Sequence, residues 1–174
     1  MPVVDGLVRE GIKYKGVLYA GLMITADGPK VLEFNCRFGD PETQPLLMRL
    51  KSDLLEVLLA VAEGRLDQIT LEWDPRPALC VVAASGGYPG KYPSGLPITG
   101  IEKADAIPDV KVFHAGTKFA ADGKHVVTDG GRVLAVCALG DNVADAQRRA
   151  YEAIKHVHFD GMHYRKDIGH HALR

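Results

Sequence analysis

Residues 17–42 read VLYAGLMITADGPKVLEFNCRFGDPE, and the reading of this stretch decides what the rest of the chain can be. Apolar and small residues run from 17 to 25, a turn-forming ADGPK cluster interrupts them, and 30–35 resumes as a strand, so the segment predicts an antiparallel hairpin. Gly28 can supply a positive φ in the turn, and Pro29 follows it. Successive side chains of a strand point to opposite faces. Leu32 and Phe34 therefore share one face, while Glu33, Asn35 and, if the strand persists, Arg37 share the other. A strand ending in a carboxylate, an amide and a guanidinium is either a water-facing edge or a site, and these few residues alone leave both open.

Working outward, Val3, Val4, Leu7 and Ile12 before Gly16 suggest a short helix with no strong cap of its own. After the polar loop, 43–50 and 52–63 read as two helices. Ser52 is the expected N-cap with Asp53 in the first turn, Leu54, Leu55, Leu58 and Leu59 recur at helical spacing, and Gly64 is the expected stop. Trp73 and the two prolines of LEWDPRP mark a boundary near residue 74. Beyond it ALCVVAAS, VKVFHAGTK, HVVTDGG and GRVLAVCALG give short strands separated by glycine turns. Asp141 or Asn142 then opens an amphipathic helix with Val143, Ala146, Ala150, Ile154 and Val157 on one side. No internal repeat or low-complexity tract interrupts the pattern. The chain is thus expected to be α+β, with a hairpin and helices over 1–73 and a small β-rich domain carrying one packed helix over 74–174.

Apolar residues make up 47% of the 174, charged residues 25%, and the formal net charge is −1. That balance is ordinary for a globular protein and argues against nucleic acid as a partner. Cys36, Cys80 and Cys137 are odd in number, distant in sequence and without a C-x-x-C. They read as buried free thiols of a reducing compartment, not as a disulfide framework or zinc site. No apolar run is long enough to span a bilayer, and the first residues lack the features of a leader, so the expected location is cytoplasmic, with no membrane partner.

Glu33 and Asn35 suit a hard divalent cation, because such ions take oxygen ligands and are commonly held by one or two protein oxygens plus nucleotide phosphates. Arg37 could neutralise charge on a transferred phosphoryl group or acyl phosphate. SGGYPGKYPSG, residues 85–95, resembles a phosphate loop only superficially. Ser85 stands where the Walker pattern needs its first glycine, Tyr92 follows the lysine, and Pro89 and Pro93 prevent the helix that such a loop opens. It reads as a connection lying over a neighbouring surface. His114 in HAGT reads as a hydrogen-bonded structural histidine. His156, His158, His163, His170 and His171 crowd the end of the sequence, with no carboxylate or cysteine pattern to complete a metal site.

The runs YKGVLYAGLMIT, VLEFNCRFGDPETQPLLMRLKSDLLEVLLA, ASGGYPGKY, FHAGTK, GGRVLAVCALG, AQRRAYEAIKHVHF and YRKDIGHHAL together resemble, in order, the C-terminal portion of the phosphoribosylamine–glycine ligase (glycinamide ribonucleotide synthetase) family of ATP-grasp enzymes. The resemblance implies a carbon–nitrogen ligase of de novo purine synthesis. ATP converts glycine to glycyl phosphate, the amine of phosphoribosylamine attacks it, and magnesium or manganese bridges the ATP phosphates. Glu33 and Asn35 match the family's metal ligands, and Arg37 matches the arginine that steadies phosphate oxygens. Asp40 and Glu42 of GDPE fall where the acceptor substrate is held. The glycine-rich lid and the ATP-gripping lysines of the family have no counterpart in this sequence, and neither Lys91 nor Lys118 replaces them. The resemblance therefore implies no ligase activity and at most weak Mg-ATP affinity for the chain by itself. Two other possibilities stand beside that of a ligase fragment: an assembly module docking on a separate N-terminal half, and a truncated product with no independent activity. The apolar hairpin face of Leu18, Ala20, Leu22 and Ile24 would in either case favour self-association.

Overall fold

A computed structural model describes residues 2–173. In chain order the elements are α1 (Pro2–Arg9), β1 (Tyr19–Thr25), β2 (Gly28–Asn35), α2 (Thr43–Arg49), α3 (Leu54–Glu63), β3 (Ala78–Ala84), α4 (Ile101–Asp105), β4 (Val110–His114), β5 (Thr117–Phe119), β6 (Val126–Thr128), β7 (Arg132–Leu139) and α5 (Val143–Ile154), with short 3₁₀ turns at Leu66–Gln68 and His170–Leu173. The chain divides into two compact units: residues up to Asp40 with Leu50–Trp73, and Pro41–Arg49 with the residues from Asp74 onward. Among the described residues no helix is long and apolar enough to cross a membrane.

In the first unit β1 and β2 pair antiparallel from Tyr19↔Asn35 to Thr25↔Gly28. Only Ala26 and Asp27 separate the paired ends. Gly28, at φ 96°, absorbs the left-handed step that a tight connection demands, so the second strand starts two residues earlier than the sequence pattern suggests. The register shifts where Gly21 faces Glu33 but Leu22 faces Val31, leaving Leu32 as a bulge residue. This single insertion sorts the hairpin by polarity. Ala20, Leu22, Ile24, Val31 and Phe34 fall on one face, and Tyr19, Gly21, Met23, Glu33 and Asn35 on the other. The expected partnership of Leu32 with Phe34 is therefore corrected, because the extra residue belongs to neither row.

α3 is capped at both ends. Asp53, not Ser52, is the N-cap, its carboxylate accepting from the backbone N–H of Leu55 and Glu56, while Gly64 closes the helix in a left-handed conformation. The Ser52 hydroxyl instead accepts from the N–H of Glu72 at 2.7 Å, beside the Leu50↔Trp73 bridge. This unit has little interior. Of its described residues only Gly39 and Ala60 are buried, and Leu22, Ile24, Val31, Phe34, Leu55, Leu58 and Leu59 are all exposed.

The second unit holds the hydrophobic core. Its sheet has the antiparallel order β3-β7-β4, with β5 and β6 as a separate pair. Central β7 is buried from Val133 to Leu139, as the continuous apolar run requires of a strand covered on both faces. On one face Leu79, Val81 and Ala83 of β3, Leu134, Val136 and Ala138 of β7, and Val110 and Val112 of β4 join Ala146, Ala150, Ala153 and Ile154 of α5. The opposite face, with Cys80, Val82, Ala135 and Cys137, lies outside that cluster. It is covered by α2, the remaining helix in contact with β3 and β7. α5 opens at Asn142, whose side chain accepts from the N–H of Asp145, and the chain beyond it adds Val157 and Phe159 to the core. Burying a large apolar side chain such as Phe159 contributes roughly 1.5–3 kcal/mol.

Two sequence motifs have structural roles in this unit. Ser85 donates from its hydroxyl to the Gly130 carbonyl at 2.8 Å, and a Cβ on Gly131 would lie 2.1 Å from the Tyr88 ring. The glycine-proline connection thus lies against the backbone that leads into β7. In YRKDIG, Arg165 makes a two-pronged pair with Asp167. Gln147 of α5 donates to the Ile168 carbonyl at 2.8 Å, and the Tyr151 hydroxyl to the Arg165 carbonyl at 2.7 Å. These bonds tie the end of the chain to α5.

Candidate functional site

The polar face of the hairpin is built by the bulge and a glycine. Gly21 lies directly across from Glu33, and a Cβ there would approach Glu33 Cγ to 3.0 Å. Glu33 therefore lies over bare backbone, exposed, while Asn35 two residues on is half-buried. The Asn35 side-chain nitrogen is buried with no hydrogen-bond partner. Turning that amide end for end presents an oxygen at the same place, an acceptor that a cation would satisfy. One carboxylate and one amide oxygen on a single strand face are the donor set of a hard divalent ion whose remaining ligands come from phosphates and water. Among the described residues no group of three or more His, Cys, Asp or Glu side chains gathers as a metal site, so the two oxygens fit a phosphate-shared ion and not an all-protein cage.

Arg37 does not extend this row. The strand ends at Asn35, and Arg37, in the following bend, donates from Nη1 to the neighbouring Phe38 carbonyl at 2.9 Å. A guanidinium so lightly anchored keeps donors for an incoming anion. Between Asn35 and Arg37 stands Cys36, exposed where a buried thiol was expected. Its hydrogen bond with the Tyr14 hydroxyl pushes that phenol's pKa up. Asp40 is exposed and ends the first stretch of this unit, whereas Glu42 belongs to the second unit. There the Glu42 carbonyl accepts from the N–H of Leu46 as α2 begins. The hairpin brings Glu33 and Asn35 together, and the other three follow along the chain. An apolar hollow of about 270 Å³ in the first unit is lined by Val4, Leu7, Val8, Ile12 and Tyr14 and includes none of these side chains.

The second unit carries polar features that the sequence pattern did not single out. Gln44 of α2 has a buried side-chain oxygen without a partner. A polar residue inside the first turn of an apolar helix was the available signal. A hollow of about 210 Å³ is lined by Tyr88, Arg132, His163, Tyr164 and Arg165. His114 hydrogen-bonds Thr117 Oγ1 at 3.0 Å. Of the late histidines, His158 and His163 pair through their backbones with Thr99 and Ala84. His170 bonds the Asp167 carbonyl and stacks on His171.

Against known proteins, the family description "Phosphoribosylglycinamide synthetase, C domain" matches residues 78–171, and "Phosphoribosylglycinamide synthetase, ATP-grasp (A) domain" matches residues 1–43. Phosphoribosylamine–glycine ligase from Allochromatium vinosum is 58% identical over 99% of this chain and 40% of its own length. That from Escherichia coli K12 is 56% identical with the same coverage. The crystal structure of phosphoribosylamine–glycine ligase from Thermotoga maritima superimposes with a TM-score of 0.78 at 35% identity, covering 94% of this chain and 39% of that one. N5-carboxyaminoimidazole ribonucleotide synthetase from the same organism shares the fold alone, with a TM-score of 0.56 at 17% identity over 90% of this chain and 40% of that one. The chain spans about 40% of the length of the curated relatives it matches.

Proposed function

The chain belongs to the phosphoribosylglycinamide synthetase family, and from that premise we propose that it supplies the metal-holding hairpin and C-terminal domain of an ATP-dependent ligase joining glycine to phosphoribosylamine. In this reading residues 1–73 are the C-terminal part of an ATP-grasp domain and 74–174 the β-rich C-terminal domain. The matches over 1–43 and 78–171 support that division. The observation that carries the proposal is the pair Glu33 and Asn35 on one strand face, with the buried Asn35 side-chain nitrogen lacking a hydrogen-bond partner.

Glu33 and Asn35 would hold Mg²⁺ or Mn²⁺, which when bound neutralises charge on the ATP phosphates. Arg37 aims its free donors at the phosphoryl oxygens as the glycine carboxylate becomes glycyl phosphate, stabilising charge that develops in the transfer. Asp40 and Glu42 accept hydrogen bonds from the acceptor amine and hydroxyls, orienting the amine for attack on the acyl carbon, from which phosphate departs. A second reading, an assembly module for a separate N-terminal polypeptide, is favoured by one observation: Leu22, Ile24, Val31 and Phe34 form an exposed apolar row on the other hairpin face.

The test is ADP release from Mg-ATP with glycine and phosphoribosylamine, run on this chain alone and after mixing with the upstream part of a relative. Turnover only on mixing, abolished by Glu33→Ala, supports the ligase reading. Binding of the two polypeptides without turnover favours the assembly role.

A further inference from the structure

Cys80 and Cys137, distant in sequence, are direct partners across the β3–β7 ladder. The kind of pairing follows from the neighbouring bonds. The N–H of Gly140 donates to the Pro77 carbonyl at 3.1 Å, so that pair is hydrogen-bonded. Pair type alternates with each step along an antiparallel ladder, which makes the Cys80–Cys137 pair, three steps on, a non-hydrogen-bonded one. On the other edge of β7 the N–H of Leu139 donates to the Asp109 carbonyl, which gives the same phase. Non-hydrogen-bonded partners bring their side chains closest, within the Cα separation a disulfide bridges.

Both side chains lie on the α2 face of the sheet. Cys137 is buried and Cys80 half-exposed. A hydrogen bond between the two thiols, together with burial, pushes the Cys137 pKa far above the ordinary thiol value. Cys80 is therefore the sulfur an oxidant meets, and Cys137 the one waiting behind it.

We propose that Cys80 and Cys137 form a reversible intrachain disulfide when the protein meets a hydroperoxide. Cys80 attacks the peroxide O–O bond as its thiolate, giving a sulfenic acid and releasing an alcohol or water. The Cys137 sulfur then attacks Cys80 Sγ. The S–S bond forms, the sulfenic hydroxyl leaves as water with the Cys137 proton, and the two thiols have lost two electrons to the peroxide. The bond staples edge strand β3 to central β7 beneath α2, and a thiol reductant reverses it.

The experiment uses the Cys36→Ser chain, so that only the proposed pair can react. Hydrogen peroxide is added without denaturant, thiols are counted after unfolding, and the intact and trypsin-digested masses are read. The expected result is loss of both thiols, an intact mass lower by two hydrogens, one linked peptide containing Cys80 and Cys137, an upward shift in Tm, and full reversal by dithiothreitol. Cys80→Ala then leaves one unreacted thiol and no mass loss. Oxygen addition at Cys80 without linkage, linkage between chains, or linkage only after unfolding would each overturn the proposal.

Discussion

Asp109 has a positive φ, 62°, the only such non-glycine among the described residues. It stands just before β4, with its carboxylate between Arg76 at 3.0 Å and Arg149 of α5 at 2.8 Å. Two contributions hold it there: tolerance of the left-handed backbone and attraction to the two guanidiniums. Asp109→Ala and Asp109→Gly remove both ion pairs equally, so the difference between them isolates the backbone. A left-handed alanine costs roughly 1–2 kcal/mol, and glycine gives back roughly 0.5–1 kcal/mol through its freer unfolded chain. The glycine variant is therefore expected to be more stable than the alanine variant by about 1 kcal/mol. Asp109→Asn tolerates the backbone and loses only the charge. Its deficit against the parent protein should shrink in molar salt, while the Gly–Ala gap stays constant. Urea titration followed by amide exchange of β7 measures both comparisons. An alanine variant as stable as the glycine variant, or a gap that salt closes, would refute the backbone argument.

Three further predictions concern the fold. Ile154, fully buried in the α5 face of the core, loses about 2–5 kcal/mol as Ile154→Ala, read as a lowered unfolding midpoint. Asp53→Ala removes the α3 cap and costs about 1 kcal/mol of local stability. Faster amide exchange at Leu55 and Glu56, largely restored by Asp53→Asn, checks it. At low pH the second unit loses stability. Burial raises the Asp105 pKa, but Lys111 and the Val112 N–H outweigh it, for a net lowering. Arg148 first, and then Arg149, hold Asp145 low against burial. Carboxyls lowered in the folded state contribute stability that is present above their unfolded pKa near 4 and lost as pH falls through the folded values. Exchange of β7 and α5 amides should accelerate below about pH 4, and unchanged protection there would contradict the ion-pair assignments.

Much of this architecture was legible because it is written in short-range periodicity. The hairpin followed from alternation around ADGPK, α5 from apolar residues at helical spacing, and its cap from residue type, as Asp141 or Asn142, of which the structure uses Asn142. Features set by pairing between distant segments were not legible. The Leu32 bulge depends on which β1 residue each β2 residue meets, and no local pattern marks it. Cys80 and Cys137 became neighbours only through the β3–β7 register. The shift of the α3 cap from the expected Ser52 to Asp53 follows from Glu72, a residue twenty positions away whose N–H engages the Ser52 hydroxyl. For the site, Glu-x-Asn spacing placed two oxygen donors on one face, and the structure keeps them there. The same spacing overextended the row to Arg37, because the strand ends at Asn35. The phosphate role of Arg37 came from its residue type beside the Glu-x-Asn pair, and the roles of Asp40 and Glu42 from family resemblance alone.

The most direct test of the central claim joins this chain, as a fusion, to the upstream part of a relative and compares Glu33→Gln with the parent protein. Glycine-dependent ADP release at saturating Mg-ATP is expected to fall by at least about 100-fold, since charge stabilisation at such a site is commonly worth that much, with an unchanged Tm. Partial recovery on replacing magnesium with manganese would place the defect at the ion. Unaltered turnover by Glu33→Gln would contradict the account and remove the hairpin from the metal site.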